Sequence, residues 1–291
     1  MSVVERGISF ACEGCWLYGV LSLPAAGAQA ARRGVVLVVG GPQYRVGSHR
    51  QFTLLARELA RQGVPVLRFD YRGMGDSEGE IRDFLDVDAD LRAAIDAFSG
   101  ELPAMREVVL WGLCDAASAA MLYAPHDPRV AGLVLLNPWA RTEEGAARTT
   151  LKHYYLSRLR QAGLWRKVVR GEFDYAAAAR SFFGLCLNAL RRTGTPDAGS
   201  GDAPSSKALP SLPQRMLSGF ARFEGRTLII ISGADLTGRE FADMAAAPAW
   251  RKQMARKQVS RQTLPQADHT FSRPDWRDQV AQWTNDWLKH W

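Results

Sequence analysis

Short apolar runs alternate with amphipathic stretches along most of the chain, and this alternation restricts the fold more than any other feature. GVVLVVGG (34–41) is apolar throughout and ends in glycines, the pattern of a strand buried on both faces. VPVLRFD (64–70), REVVLWG (106–112), RVAGLVLLNPW (129–139), RTLIIISG (226–233) and KQVSRQTLP (257–265) read as further strands. Between them, RQFTLLARELARQ (50–62) places Phe52, Leu55, Ala56 and Leu59 on one helical face, and Gly63 stops the helix. DFLDVDADLRAAIDAF (83–98) has apolar residues at helical spacing with acids at its start, where the helix dipole favours them. DAASAAMLYA (115–124), a stretch around 238–256 and residues 274–290 complete the helices, and ISFACEGCWLYGVLSL (8–23) reads as a hairpin turning at Glu13-Gly14. Strands alternating with helices predict an α/β chain with a mainly parallel sheet covered on both faces.

The pattern breaks between 140 and 222. The sequence therefore predicts a core from 1–139 and 223–291, interrupted by a helical lid at 140–222. Within it, TGTPDAGSGDAPSSKALPSLP (193–213) has the composition of a flexible loop. The formal net charge of +7 belongs to this region: residues 141–225 hold 14 Lys/Arg against 7 Asp/Glu, whereas the other 206 residues hold 23 of each. Basic residues there interleave with Tyr154, Tyr155, Leu159 and Trp165, as in a lid helix with an apolar face toward a pocket. Solvated surface charge, attraction of an anionic substrate or carrier, and contact with a membrane surface are the three readings of that charge. Nucleic-acid binding is excluded as an expectation, because no recognisable module accompanies the charge.

No apolar run approaches the ~20 residues that a membrane-crossing helix needs. The first residues, MSVVERGISFACEGC, lack a basic segment followed by an apolar one, so the expectation is a cytoplasmic protein with reduced cysteines.

Strand REVVLW runs directly into Gly112-Leu113-Cys114-Asp115-Ala116 and a helix. A nucleophile on a sharp strand-to-helix turn needs small residues two positions either side, which Gly112 and Ala116 supply. The turn aims Cys114 at a helix N-terminus, whose free N–H groups favour a thiolate. The partners expected after late strands are an acid and then a histidine; Asp235 in GADLTGREF and His269 in QADHTF stand in that order. Oxyanion donors would be the Asp115 N–H and one from Gly40-Gly41-Pro42-Gln43. Pro42 has no N–H, leaving Gly41 or Gln43, with Gly41 preferred because it permits close backbone approach. The carboxylate of Asp115 would oppose a thiolate if it pointed inward, so it is expected to face away or to meet a basic side chain. Trp139, Tyr154 and Tyr155 are the expected substrate-binding side chains.

Plainer readings compete. A free cysteine is commonly just buried. Asp243 and Asp268 rival Asp235, although Asp268 directly precedes the base. His49, His126, His153 and His290 default to surface or structural roles. Cys12-Glu13-Gly14-Cys15 lacks the second pair of a Cys₄ zinc site and lies in a hairpin, so it reads as structural, and no metal or cofactor is expected. The glycines at 73, 75 and 79 lack the Lys-Ser/Thr of a phosphate loop. Asp70-Tyr71-Arg72-Gly73 reads as structural, with Arg72 paired to an acid.

GGPQ after a strand, DYRGMGDS (70–77), the GLCDA turn, Asp235 and His269 together resemble the α/β-hydrolase superfamily. More narrowly, GGPQYRVGSHRQF, RFDYRGMGDSEG, WGLCDAASAA, LVLLNPWARTEEG and KHYYLSRL are similar to hydrolases associated with the exosortase A (PEP-CTERM) and exopolysaccharide system, over nearly the whole chain. The resemblance implies an α/β-hydrolase fold with an inserted lid, and a hydrolase linked to envelope polysaccharide genes. Cys in place of the usual Ser looks like dienelactone hydrolases and polyhydroxyalkanoate synthases, and directs the expected chemistry toward thioesters or activated esters, small or carrier-bound. Ala116 replaces the second glycine of the turn, and Val39-Gly40 replaces the usual His-Gly. An acyltransferase using the same Cys114, and a non-catalytic binding protein of this fold, are the alternatives.

Overall fold

The computed structural model describes residues 3–25, 31–41, 43–141 and 210–290. Eight strands form one sheet: β1 (Val3–Cys12), β2 (Cys15–Pro24), β3 (Arg33–Val38), β4 (Val66–Phe69), β5 (Glu107–Leu113), β6 (Val130–Leu136), β7 (Arg226–Ser232) and β8 (Val259–Leu264). Their spatial order is β1-β2-β4-β3-β5-β6-β7-β8. β3 through β8 pair in parallel, while β2 is antiparallel to both β1 and β4. The β1–β2 turn has Glu13 at φ 46° and Gly14 at φ 82°, as a two-residue hairpin of this hand requires.

The helices among the described residues are α1 (Gln51–Arg61), α2 (Asp88–Glu101), α3 (Asp115–Tyr123), α4 (Leu212–Arg222), α5 (Leu236–Ala245), α6 (Pro248–Met254) and α7 (Pro274–Lys289). The central strands are buried on both faces: Val35–Val38, Val108–Trp111 and Leu133–Leu136 are all almost inaccessible. This accounts for their unbroken apolar runs. β8, at the sheet edge, is mostly exposed and reads SRQT across its middle. Polar side chains there discourage pairing with another chain.

The chain divides into two compact units, residues 1–149 with 211–291, and residues 150–210. The expected insertion ran to 222, but α4 belongs to the sheet-bearing unit. Met216 and Phe220 of α4 are buried, Phe220 stacks on Trp250 with ring centroids 6.0 Å apart, and Gly219 lies close to the Met121 carbonyl of α3. The expected loop at 193–213 falls almost wholly outside the described residues.

Two buried ion pairs fix the loops at the carboxyl ends of β3 and β4. Asp70, fully buried, accepts the Arg45 N–H at 2.6 Å and pairs with the Arg45 guanidinium. Burial pushes the Asp70 carboxyl up, against the lowering effect of Arg45. Gly75 has to be glycine here, because a Cβ on it would meet Asp70 Oδ2 at 2.2 Å. Arg72 meets the expected acid: its Nε lies 3.1 Å from both Asp90 oxygens, its Nη2 2.7 Å from Oδ2, and its N–H 2.8 Å from Oδ1. The pair ties the loop after β4 to the start of α2. Breaking a buried pair strands the surviving charge, so Asp90→Ala should lower stability by about 3–5 kcal/mol in urea denaturation. The double replacement Arg72→Leu/Asp90→Leu should cost less than that single one.

Candidate active site

β5 delivers the chain to Cys114, whose φ of 64° and ψ of −125° lie where non-glycine residues are strained. A residue in such a region costs on the order of 1–3 kcal/mol and persists only where its surroundings hold it. They do so at both peptide groups. The Cys114 N–H donates to the Leu136 carbonyl of β6 at 2.9 Å. Its carbonyl accepts the N–H groups of Ala117 and Trp139, each at 3.1 Å, and Ser118 Oγ donates to the Trp139 carbonyl at 2.7 Å. The return of the chain into α3 also explains Gly112, where an added Cβ would lie 2.6 Å from the Ala116 carbonyl carbon. At 116 a methyl is tolerated, since it faces Gly40.

Asp235 caps α5. Its Oδ2 accepts the Gly238 N–H at 2.8 Å and faces His269 Nδ1 at 2.9 Å. Burial pushes this carboxyl up, but the hydrogen bonds from His269 and Gly238 outweigh it and hold the group below its usual value. Cys114 lies near enough to His269 to act on the charge of its ring. Asp235 first, and Cys114 second, push His269 up to about 10 against the opposing effect of burial, so the ring is cationic at neutral pH. Asp268 is committed elsewhere, accepting from the Ser272 N–H at 3.0 Å and from the Ser272 hydroxyl.

Asn137, absent from the residues picked out of the sequence, joins three parts of the site. It is fully buried with φ 43°; its Nδ2 donates to Ser232 Oγ at 2.7 Å and to the His269 carbonyl at 3.1 Å, and its Oδ1 accepts the Ser232 N–H at 2.8 Å. An Asn following the β6 run LVLL was the available signal, since Asn is enriched at positive φ.

Asp115 departs from expectation. It neither faces away nor meets a basic side chain: Oδ2 accepts the Gly41 N–H at 2.9 Å, and Oδ1 accepts the Ala116 N–H at 2.9 Å. Burial raises the carboxyl, the Gly41 and Ala116 N–H groups lower it, and Asp83 adds a raising charge; the net shift is upward. The side chain of Gln43 turns to the Ser48 N–H at 3.1 Å. Trp139 adjoins the turn through its backbone and carries the Arg141 guanidinium 5.7 Å from its ring centroid. Tyr154 and Tyr155 lie outside the described residues. Cys12 and Cys15 face each other across the β1–β2 turn, and burial pushes the Cys12 thiol up to about 11. Among the described residues, no group of three or more His, Cys, Asp or Glu is placed to hold a metal ion.

The His269 shift has a consequence for stability. A histidine whose folded value lies above its ordinary 6.5 stabilises fully below pH 6.5 and loses that contribution as pH rises through about 10. The excess stability of the wild type over His269→Gln should therefore be larger at pH 6 than at pH 10.5, as read from urea denaturation at both values.

A family model described as the alpha/beta hydrolase family matches residues 35–283. Among solved structures, the chain is similar to the esterase Pf2001 of Pyrococcus furiosus (TM-score 0.64, 15% identity, 99% of this chain and 93% of that one). It is also similar to Est1E of Butyrivibrio proteoclasticus, solved with ferulic acid (0.61, 14%, 97% and 98%), and to a dienelactone hydrolase of Anabaena variabilis (0.60, 17%, 99% and 98%). Two curated proteins share local similarity: the polyketide transferase grgF of a Penicillium species, 29% identical over 113 residues, and the quorum-quenching protein AidA of Acinetobacter baumannii, 33% identical over 94 residues. These alignments span 38% and 31% of the respective relatives, well under half of either. With its family model spanning β3 to α7, an eight-stranded, mostly parallel sheet and esterases among its structural neighbours, the chain belongs to the alpha/beta hydrolase family.

Proposed function

We propose that the protein cleaves ester or thioester bonds through an acyl-enzyme on Cys114. The observation that carries this reading is the Asp235–His269 pair at 2.9 Å, with Cys114 near enough to push the histidine up, the three residues following the carboxyl ends of β7, β8 and β5. His269 holds the proton that Cys114 gives up, and Asp235 stabilises that imidazolium. The sulfur attacks the substrate carbonyl carbon, a C–S bond forms, and the carbonyl π pair moves onto oxygen. That oxyanion is met by the Asp115 N–H and by the N–H of Gly41 or Gln43. As the tetrahedral centre collapses, the leaving oxygen or sulfur departs with its bonding pair and takes the proton from His269. Water, deprotonated by His269, then attacks the thioester, and the thiolate leaves. A thiolate is both a good nucleophile and a good leaving group, which favours thioesters and activated esters, including carrier-bound acyl groups. The basic excess of residues 141–225 suits an anionic carrier. The resemblance to exosortase A-associated hydrolases supports a physiological substrate in exopolysaccharide assembly on the cytoplasmic side.

Transfer to an acceptor other than water is the second reading. It draws support from the thioester intermediate and from the local similarity to a protein named as a polyketide transferase.

Incubation with a p-nitrophenyl ester should add one acyl group to Cys114, located by mass spectrometry, and Cys114→Ala should lower kcat by roughly 10³-fold or more. His269→Ala should cost roughly 10²–10⁴-fold. Added alcohol that diverts product from free acid identifies the transferase. Unchanged turnover in Cys114→Ala, or an adduct elsewhere, would sink the acyl-enzyme; no turnover and no adduct in the wild type points to the binding protein.

A further inference from the structure

One of the N–H groups assigned to the oxyanion already has an anion on it. Gly41 donates to Asp115 Oδ2 at 2.9 Å. The Ala116 N–H, next along α3, binds Oδ1 at 2.9 Å. The carboxylate also occupies a niche shaped for it: a Cβ on Gly40 would lie 2.1 Å from Asp115 Oδ1, so only glycine at 40 leaves room. A side chain on the residue after the nucleophile thus reaches back over Gly40 and engages the Gly41 N–H, a donor that the proposed acyl transfer offers to a substrate carbonyl.

We propose that the Asp115 carboxylate is a built-in occupant of the oxyanion site, one that a substrate carbonyl must displace before Cys114 can be acylated. The inference rests on the acyl-transfer reading for its consequence, but the occupancy itself is independent of that reading. An N–H group directed at a carboxylate has little left to give a second acceptor. The carboxylate's charge also opposes two others beside it, the thiolate and the growing oxyanion. Displacement is feasible because the side chain turns about two torsions and its backbone N–H stays in place. Asp83 and Tyr71 are ionisable groups within electrostatic reach of it, and neither is a cation that would hold it where it is. Asp115 therefore sets which esters are turned over, favouring those whose binding energy is sufficient to open the site.

The test compares wild type, Asp115→Asn and Asp115→Ala. Asn keeps the shape and one acceptor oxygen, which guards against loss of folding. Pre-steady-state release of p-nitrophenol from p-nitrophenyl acetate reads the acylation of Cys114. Asp115→Ala should acylate about tenfold faster or more, equivalent to at least about 1.4 kcal/mol of barrier, and Asp115→Asn should fall between the two. A loop tether whose loss loosened the site would slow acylation instead, and a slower rate in both variants overturns the proposal. The second readout needs no turnover. In ¹H–¹⁵N spectra, the Gly41 amide proton should move upfield in Asp115→Ala as its charged acceptor is lost. An unmoved Gly41 resonance overturns the occupancy, whatever the rates. Absence of any Cys114 acylation in all three proteins, with the Gly41 shift present, upholds the occupancy and refutes the acyl-transfer reading alone.

Discussion

The left-handed backbone at Cys114 is the constraint on which the rest of the site depends. Nothing intrinsic to cysteine favours φ 64° with ψ −125°. The conformation survives because β6 captures the N–H, α3 and Trp139 capture the carbonyl, and Gly112 vacates the space the returning chain needs. Each of these depends on parallel neighbours ending at the same level. β5 and β6 are in register from Leu110 and Leu133 to Leu113 and Leu136, and β6 and β7 pair up to Leu136 and Ile230. The sheet therefore brings Cys114, Asn137 and Asp235 to one edge, and Asn137 adds the loop that carries His269. Burial of the central strands keeps that edge rigid, so the strain at one residue is held by many weak contacts rather than by a strong one.

Much of this was legible from the sequence because it is written in local patterns. A buried parallel strand must be apolar on both faces, and a strand-to-helix turn needs small flanking residues; 34–41 and 112–116 carry those marks without reference to the rest of the chain. The pairing of His269 with Asp235, not Asp268, was readable from chain order and strand ends. What escaped was set by contacts between distant segments. Asn137 is an ordinary polar residue until β7 and the His269 loop arrive beside it. Helix α4 looked like part of the insertion because its Arg- and Pro-flanked sequence gives no hint that Met216 and Phe220 meet Trp250 and α3. A carboxylate disfavours a thiolate, which predicts that Asp115 faces away or meets a basic side chain, but backbone N–H groups from two segments provide a competing partner that charge arithmetic on side chains overlooks.

Asp235 and Asp115 show how surroundings divide two similar groups. Both are largely buried, and burial pushes both up. Asp235 ends below its usual value because a histidine that can carry charge shares its proton-binding site. Asp115 meets only neutral N–H groups and a distant like charge, and ends above it. The first arrangement keeps an anion where a cation must be held. The second keeps a carboxyl where its charge is least welcome.

The identity of the nucleophile fits that second arrangement. A serine hydroxyl must lose its proton as it attacks, so its transition state leans on a fully open oxyanion site. A thiol is far more acidic than an alcohol and its sulfur is the better nucleophile, so a cysteine needs less from the oxyanion donors at the moment of attack. On the proposed chemistry, thiolate nucleophile and occupied oxyanion site are complementary: the first tolerates what would disable a serine enzyme. Cys114→Ser would then be expected to fail twice, through a weaker nucleophile and through a hole that an alkoxide cannot do without. Opening that hole with Asp115→Ala should restore part of the loss in Cys114→Ser, so that the double variant is acylated faster than the single one. Additive losses across the two substitutions would show instead that the carboxylate and the sulfur act independently.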